Sequence, residues 1–253
     1  MSGQHLTGRK FPPLGSRGSQ LVQRDASGNH PGAVMKGERT KVLLADDHTI
    51  VREGLLSLLH EQQDIVVVGA AENGQEAVEK ARRTFPDVVI MDIAMPLLNG
   101  IEATRQLTRL VPQTKVIVLT MYVDEEYVLR ALQAGVRGYL LKRAAASELL
   151  QAIRAVTRGD FYLSSDISRV VVERFLASDD PGAEEAVALS DRERQILQLV
   201  AEGYTNRQIS TALGITPKTV DTHRTRLMTK LDIHDTPGLV RYAIRKGLVR
   251  ADD

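Results

Sequence analysis

The sequence predicts an α/β fold, a doubly wound parallel sheet of five strands, followed by an all-α unit of four helices. Three observations carry that expectation. Five short β-branched runs alternate with five amphipathic helical stretches between Thr40 and Arg158. Each run is apolar almost throughout, as strands covered on both faces are. After Leu189 the runs vanish while the helical period continues.

The strands are KVLLA at Lys41–Ala45, IVVVGA at Ile65–Ala70, VVIM at Val88–Met91, KVIVL at Lys115–Leu119 and GYLL at Gly138–Leu141. Between and after them, helices are expected around Ile50–Glu61, Gly74–Thr84, Gly100–Leu110, Glu125–Ala134 and Ser147–Arg158. A helix after every strand returns the chain across the sheet, which makes successive strands parallel and puts helices on both faces. In the C-terminal part, Ser190 with Glu193 forms a capping box that opens a helix ending near Gly203. A second helix, Asn206–Leu213, stops at Gly214. A third starts at Thr216, with Pro217 at its first helical position, and runs to about Leu231; a fourth covers about Pro237–Lys246.

Domain limits follow from shifts in composition. Residues 1–39 mix Gly, Ser, Pro, Gln and Arg without an apolar period, and read as a disordered extension. Met35 stands just before the first strand and offers an alternative translation start. Residues 40–160 hold the α/β domain, residues 161–187 a linker with a helix over Ile167–Leu176 and a loop at Ser178–Gly182, and residues 188–253 the helical domain. The 253 residues are 43% hydrophobic and 26% charged, contain no cysteine and lack any apolar run long enough to span a bilayer. A soluble, cytoplasmic protein without thiolate chemistry is expected. The net charge of +1 conceals an asymmetry, because residues 187–253 carry 11 Lys/Arg against 8 Asp/Glu. That excess is compatible with nucleic acid but does not by itself argue for it.

The polar residues that carry chemistry stand at the carboxyl ends of the predicted strands, where open α/β sheets bind ligands. Asp46 and Asp47 end the first strand, Asp92 the third, Thr120 the fourth and Lys142 the fifth. One Asp after a strand is ordinarily a turn former or a helix cap. Three converging acids repel one another unless a hard divalent cation lies among them, and an oxygen-only donor set suits Mg²⁺. A carboxylate beside such an ion can attack a phosphoryl group to form an aspartyl phosphate. Lys142 would supply a cation to the phosphoryl oxygens and the Thr120 hydroxyl a hydrogen bond.

The segments LLADDH, VVIMDIAMP, VIVLT and GYLLK resemble the five-point pattern of two-component receiver domains, whose sheet is flavodoxin-like. That resemblance implies that Asp92 is the phosphoacceptor. It implies that Asp47, Asp92 and the backbone carbonyl of Ala94 bind Mg²⁺ directly, with Asp46 acting through water, and that Tyr139 is an aromatic switch coupled to Thr120. From the pattern alone, Tyr139 reads as a half-buried strand aromatic with a wet hydroxyl. Many receivers carry proline after the lysine; here Arg143 follows, and no cis bond is expected.

In the helical part, Ile196, Leu199, Val200, Ile209, Leu213, Val220, Leu227 and Leu231 make a small core, while the third helix alternates its buried stripe with small hydroxyl and basic residues. Such a face suits a major groove, although a solvated bundle face reads the same way. The run LSDRERQILQLVAEGYTNRQISTALGITPKTVDTH resembles the LuxR-type helix-turn-helix, and receiver plus this module resembles the NarL/FixJ-type response regulators. By position in that module, Asp221, Thr222 and Thr225 face bases, and Lys218, Arg224 and Arg226 lie nearer phosphates. The resemblance also implies a dimer contact on the fourth helix, at Leu239, Val240, Ala243 and Ile244.

The expected function is phosphorylation of Asp92 by a sensor histidine kinase, which frees a helix that the receiver otherwise covers or misorients. Homodimerisation and binding to promoter DNA follow, at half-sites about one helical turn apart. RNA polymerase is a further expected partner, and no membrane partner is. Any enzymatic activity is limited to self-phosphorylation from phosphodonors and self-dephosphorylation. A phosphatase-like enzyme is disfavoured because no cap domain or second general acid near Asp92 is visible. A ligand-sensing LuxR-type activator would need a pocket domain richer in aromatics than 4%. A phosphorylation-independent regulator is argued against by the complete five-residue site.

Overall fold

A computed structural model describes residues 39–121, 123–143, 146–177 and 189–249. The first unit alternates strand and helix: β1 (Thr40–Ala45), α1 (Thr49–His60), β2 (Ile65–Ala71), α2 (Gly74–Thr84), β3 (Val88–Met91), α3 (Gly100–Leu110), β4 (Lys115–Thr120), α4 (Glu125–Ala134), β5 (Gly138–Leu141) and α5 (Ala146–Thr157). All strand pairs are parallel, in the order β2-β1-β3-β4-β5-β6. The sixth strand, β6 (Tyr162–Leu163), pairs with β5 and leads into α6 (Ser165–Ala177). Five strands were expected; two residues are too few to leave an alternation in the sequence, so β6 is specified by its pairing with Gly138 and Tyr139.

Alternate residues of each buried strand feed two cores. Leu43, Met91, Val118 and Tyr139 face one side, where α2, α3, α4 and α6 close the layer through Ala77, Ile101, Val128 and Ile167. Leu44, Ile90, Ile117 and Leu140 face the other, covered by α1 and α5 through Leu59, Ile153 and Val156. Each such side chain contributes about 1.5–3 kcal/mol by leaving water. The strand order reverses between β1 and β3, and this leaves a crevice at their carboxyl ends.

The stretch expected to be a linker belongs in part to this unit. Ile167 is fully buried in the first core, and α6 pairs Arg174 with Glu125 and Asp166 with Arg143. The loop expected at Ser178–Gly182, and the extension expected over 1–39 save for Arg39, lie outside the described residues.

The second unit contains α7 (Asp191–Ala201), α8 (Asn206–Leu213), α9 (Pro217–Leu231) and α10 (Thr236–Arg245). Capping sets the limits: Ser190 and Thr205 form capping boxes, Thr216 caps α9 ahead of Pro217, and Asp235 caps α10. Gly214 ends α8 at φ +63°, a left-handed conformation open to glycine, and so sets the turn between α8 and α9. Ile196, Leu199, Ile209, Val220, Leu227 and Leu239 pack between the helices.

Candidate functional site

The crevice brings together the residues that the sequence placed at strand ends. Asp46 and Asp92 are almost fully buried, and Lys142 Nζ lies 2.7 Å from Asp46 Oδ2 and 2.7 Å from Asp92 Oδ2. The Ile93 backbone N–H donates to Asp92 Oδ1 at 2.7 Å. Asp46 Oδ1 accepts from the His48 backbone N–H at 2.9 Å, and Arg52 donates to the Asp46 carbonyl. Asp47 is partly exposed beside them.

Burial lifts the Asp92 carboxyl above its ordinary range, with Lys142 opposing and Asp46 reinforcing the rise. Burial works to lower Lys142, but the two carboxylates, Asp92 foremost, hold it above its ordinary value and therefore protonated. The pocket thus holds a fixed cation against a carboxylate that is costly to ionise.

Thr120 ends β4 and is fully buried, and its hydroxyl has no hydrogen-bond partner among the described residues. A buried hydroxyl without a partner costs about 1–3 kcal/mol, so this atom is suited to an incoming acceptor. The Thr120 carbonyl accepts the Lys142 backbone N–H at 2.8 Å, which ties the two strand ends together. Tyr139 is fully buried in the first core, where the sequence suggested a half-buried ring. The cause is α6: Ile167 and the partly buried Val170 and Val171 pack against the same core and close the side that a five-stranded sheet would leave open. Burial also raises the Tyr139 hydroxyl pKa, so it remains a neutral phenol.

Asp46, Asp47, His48 and Asp92 each offer a donor atom, and those atoms lie within 4.8 Å of one another. Carboxylate oxygens in that compass fit a hard divalent cation.

The loop that follows Asp92 reaches the second unit, a relationship the sequence did not disclose. Asn99 caps α3 by accepting the Glu102 N–H at 2.9 Å, and its own Nδ2 donates to the Leu248 carbonyl at 3.2 Å. Gln198 on α7 accepts the Asn99 N–H at 3.0 Å and donates to the Met95 carbonyl at 3.2 Å. Leu97, at φ +68°, packs against the core of the helical unit. Left-handed backbone at a leucine costs about 1–2 kcal/mol, which the surrounding contacts must offset. Glu102, with a 3% exposed side chain, pairs with Arg194, Arg105 and Arg130, and Arg109 pairs with Asp191. Among these, only the charge of Glu102 at a buried helix position offered a signal in the sequence.

The face of α9 is open. Lys218, Asp221, Thr222, Thr225 and Arg226 are exposed, so the receiver holds α7 and Leu248, past the end of α10, and leaves α9 uncovered. The expectation that the receiver covers this helix is corrected; restraint of its orientation remains. Asp221 accepts a hydrogen bond from Asn206, and Arg224 donates to Asn206 Oδ1 at 2.8 Å and to Thr236 at 3.0 Å. Arg224 is thereby half-buried among α8, α9 and α10, where it braces the motif. His223 is also half-buried. On α10, Leu239 and Ala243 point into the domain core at 1% and 0% exposure, which removes them from the expected dimer stripe. The apolar period of α10 is explained by packing on α7; Val240 and Ile244 stay half-buried.

Comparison with known proteins agrees with this geometry. The response regulator receiver domain family matches residues 42–154, and the family described as bacterial regulatory proteins, luxR family, matches residues 187–243. The oxygen regulatory protein NreC of Staphylococcus haemolyticus is 42% identical over 214 residues, covering 83% of this chain and 99% of that protein. A LuxR-family two-component response regulator from Aurantimonas sp. SI85-9A1 superposes with a TM-score of 0.53 at 35% identity, over 55% of this chain and 99% of that one. The response regulator RcsB in its complex with DNA superposes with a TM-score of 0.51 at 26% identity, over 81% and 98%. Among the described residues no helix is long and apolar enough to cross a membrane. The chain belongs to the two-component response regulators of the NarL/FixJ type, which join a receiver domain to a LuxR-type helix-turn-helix that binds DNA and regulates transcription.

Proposed function

We propose that Asp92 is the phosphoacceptor and that its phosphorylation releases the helical unit from the loop at residues 93–99. The observation that carries this reading is the pocket itself: a buried carboxylate held by Lys142, and a buried Thr120 hydroxyl that has no partner among the described residues. A carboxylate oxygen of Asp92 attacks the phosphorus of a phosphohistidine on a sensor kinase; the P–N bond breaks and the imidazole leaves. Lys142 meets the charge on the phosphoryl oxygens, and the Thr120 hydroxyl donates to one of them. Asp47, Asp92 and the Ala94 carbonyl would hold Mg²⁺, with Asp46 through water, and that ion would neutralise charge on the phosphoryl group.

The same loop bears both ends of the switch. Asp92 lies directly before Ile93; Met95 and Asn99 bond Gln198 on α7, Asn99 also bonds Leu248 beyond α10, and Leu97 packs on the core of the helical unit. A phosphoryl group that shifts this loop weakens those contacts, and Tyr139, already enclosed, limits the space into which Thr120 can move. Freed helical units pair as a homodimer on promoter DNA, with Lys218, Thr222, Thr225 and Arg226 at the groove and RNA polymerase as a downstream partner. The receiver in this reading spans residues 40–177, the protein works in the cytoplasm, and its catalysis is confined to its own phosphorylation and dephosphorylation.

DNA binding measured with and without acetyl phosphate, or beryllofluoride with Mg²⁺, tests the reading. Wild type tightens its binding on activation and Asp92→Asn does not. An Asp92→Asn protein that responds like wild type would refute the switch.

A further inference from the structure

We propose that His48 is a nitrogen ligand of the metal in this pocket, which gives the site a preference for borderline divalent ions such as Co²⁺ and Zn²⁺ that carboxylates alone would not supply. The proposal rests on the reading of the pocket as a divalent cation site. His48 occupies the N-cap of α1, a position that Ser, Thr, Asp or Asn fills when its side chain is used to cap. The imidazole makes no such capping bond. It turns back toward the acids, with Nδ1 2.8 Å from Asp47 Oδ1 and 3.3 Å from Asp46 Oδ1. The backbone N–H of the same residue is bonded to Asp46, so the ring is anchored at the rim.

The spacing suits shared coordination. Adjacent ligands on an octahedron with arms of about 2.1 Å lie about 3.0 Å apart, and opposite ones about 4.2 Å apart. The two separations from Nδ1 bracket the first figure; the four donors of Asp46, Asp47, His48 and Asp92 fall within 4.8 Å, so side-chain adjustment of about half an ångström would close them on one ion. Mg²⁺ takes oxygen donors and gains little from imidazole, whereas Co²⁺ and Zn²⁺ gain substantially. The ring is 55% exposed, so it can adjust to an ion and can be replaced without opening the core.

The test uses the full chain, wild type and His48→Gln, with Mg²⁺, Mn²⁺, Co²⁺ and Zn²⁺ as probes. Titration calorimetry is expected to show Co²⁺ and Zn²⁺ weakened about tenfold or more by His48→Gln and Mg²⁺ changed by less than about threefold. Pulsed electron paramagnetic resonance on bound Mn²⁺ is expected to show coupling to a histidine nitrogen that His48→Gln abolishes. Mn²⁺ bound without that coupling, or with coupling that persists in the variant, overturns the role of His48 and leaves the pocket reading intact. Failure of every divalent ion to bind wild type overturns both.

Discussion

Gln198 is joined to Asn99 through the chain itself: its Oε1 accepts the Asn99 backbone N–H at 3.0 Å while its Nε2 donates to the Met95 carbonyl at 3.2 Å. One amide from the DNA-binding unit therefore completes the backbone of the loop that follows Asp92. Both partners are buried, so loss of the amide strands a donor and an acceptor, at a cost of about 1–3 kcal/mol for each group. Gln198→Ala is expected to shift the closed arrangement toward the open one by about tenfold or more. Faster hydrogen exchange over residues 93–99, together with tighter DNA binding before activation, would register the shift; unchanged exchange would count against it.

Glu102 offers a second handle on the same contact. Its nearly buried carboxylate faces Arg194 from the helical unit and Arg105 and Arg130 from the receiver, and burial already lowers the Arg130 pKa. Removal of this anion leaves Arg105 and Arg130 opposed without a shared partner, while Arg194 keeps only Asp191 as an ion-pair partner among the described residues, and breaking a buried pair in this way typically costs about 3–5 kcal/mol. Glu102→Gln is expected to lower the stability measured by urea denaturation strongly, whereas loss of the exposed Arg83–Glu79 pair on α2 should change it by less than about 1 kcal/mol.

Asp92 predicts a pH dependence. A carboxyl whose folded value is raised by burial costs the folded state when it ionises: the cost is absent below the unfolded value, grows as pH rises and is complete above the folded value. Asp92→Asn removes it, and Lys142 keeps Asp46 as a partner. The variant is therefore expected to melt above wild type at pH 7 without divalent ions, with the gap closing as pH falls through the carboxylate range. Saturating Mg²⁺ should raise the wild-type melting temperature and narrow the gap from the other side, since a ligand at 100 times its Kd contributes about 2.7 kcal/mol.

On α9 the polar residues divide by what already holds them. Lys218 is exposed and makes no ion pair among the described residues, so it can meet a phosphate, while Asp221 and Arg224 are engaged with Asn206. Lys218→Ala is expected to weaken all DNA sequences alike and to reduce the slope of log affinity against log salt by about one. Thr225→Ala should instead alter the preference among sequences at nearly constant slope. Binding isotherms at three or more salt concentrations separate these outcomes.

The strands, the helices and the five rim residues were legible because each is a local signal: apolar runs fix β1, β3, β4 and β5, Asp46 with Asp47, Asp92 and Lys142 follow the first, second and last of these at once, and Thr120 closes β4. The missing pieces are those specified by contacts far apart in sequence. β6 exists through pairing with Gly138, and Tyr139 is enclosed because α6 returns over it. The Asn99–Gln198 bond joins residues 99 positions apart, and nothing in LLNG or in the α7 stripe marks it. The α10 stripe misled for a related reason: Leu239 and Ala243 have the spacing of an exposed seam, and only the packing of α7 shows that they are already covered.

Two glycines provide the last prediction, because the same substitution should act on them with opposite sign. Gly100 begins α3, and a Cβ there would stand 1.9 Å from the Asp92 carbonyl oxygen and 2.9 Å from Met91 Cγ. The first of those neighbours is backbone, so the helix or Asp92 must move. Gly100→Ala is expected to cost about 1–3 kcal/mol or more, as other forced overpacking does. It should also slow modification by acetyl phosphate through displacement of Asp92. Gly54 lies exposed in the middle of α1 with nothing within 4 Å of a built Cβ. There alanine removes backbone freedom from the unfolded chain and should stabilise by about 0.5–1 kcal/mol. Urea denaturation of the two variants beside wild type, with phosphorylation rates measured on both, checks the pair. Equal and small effects at the two positions would mean that Asp92 and α3 are not in the close contact described.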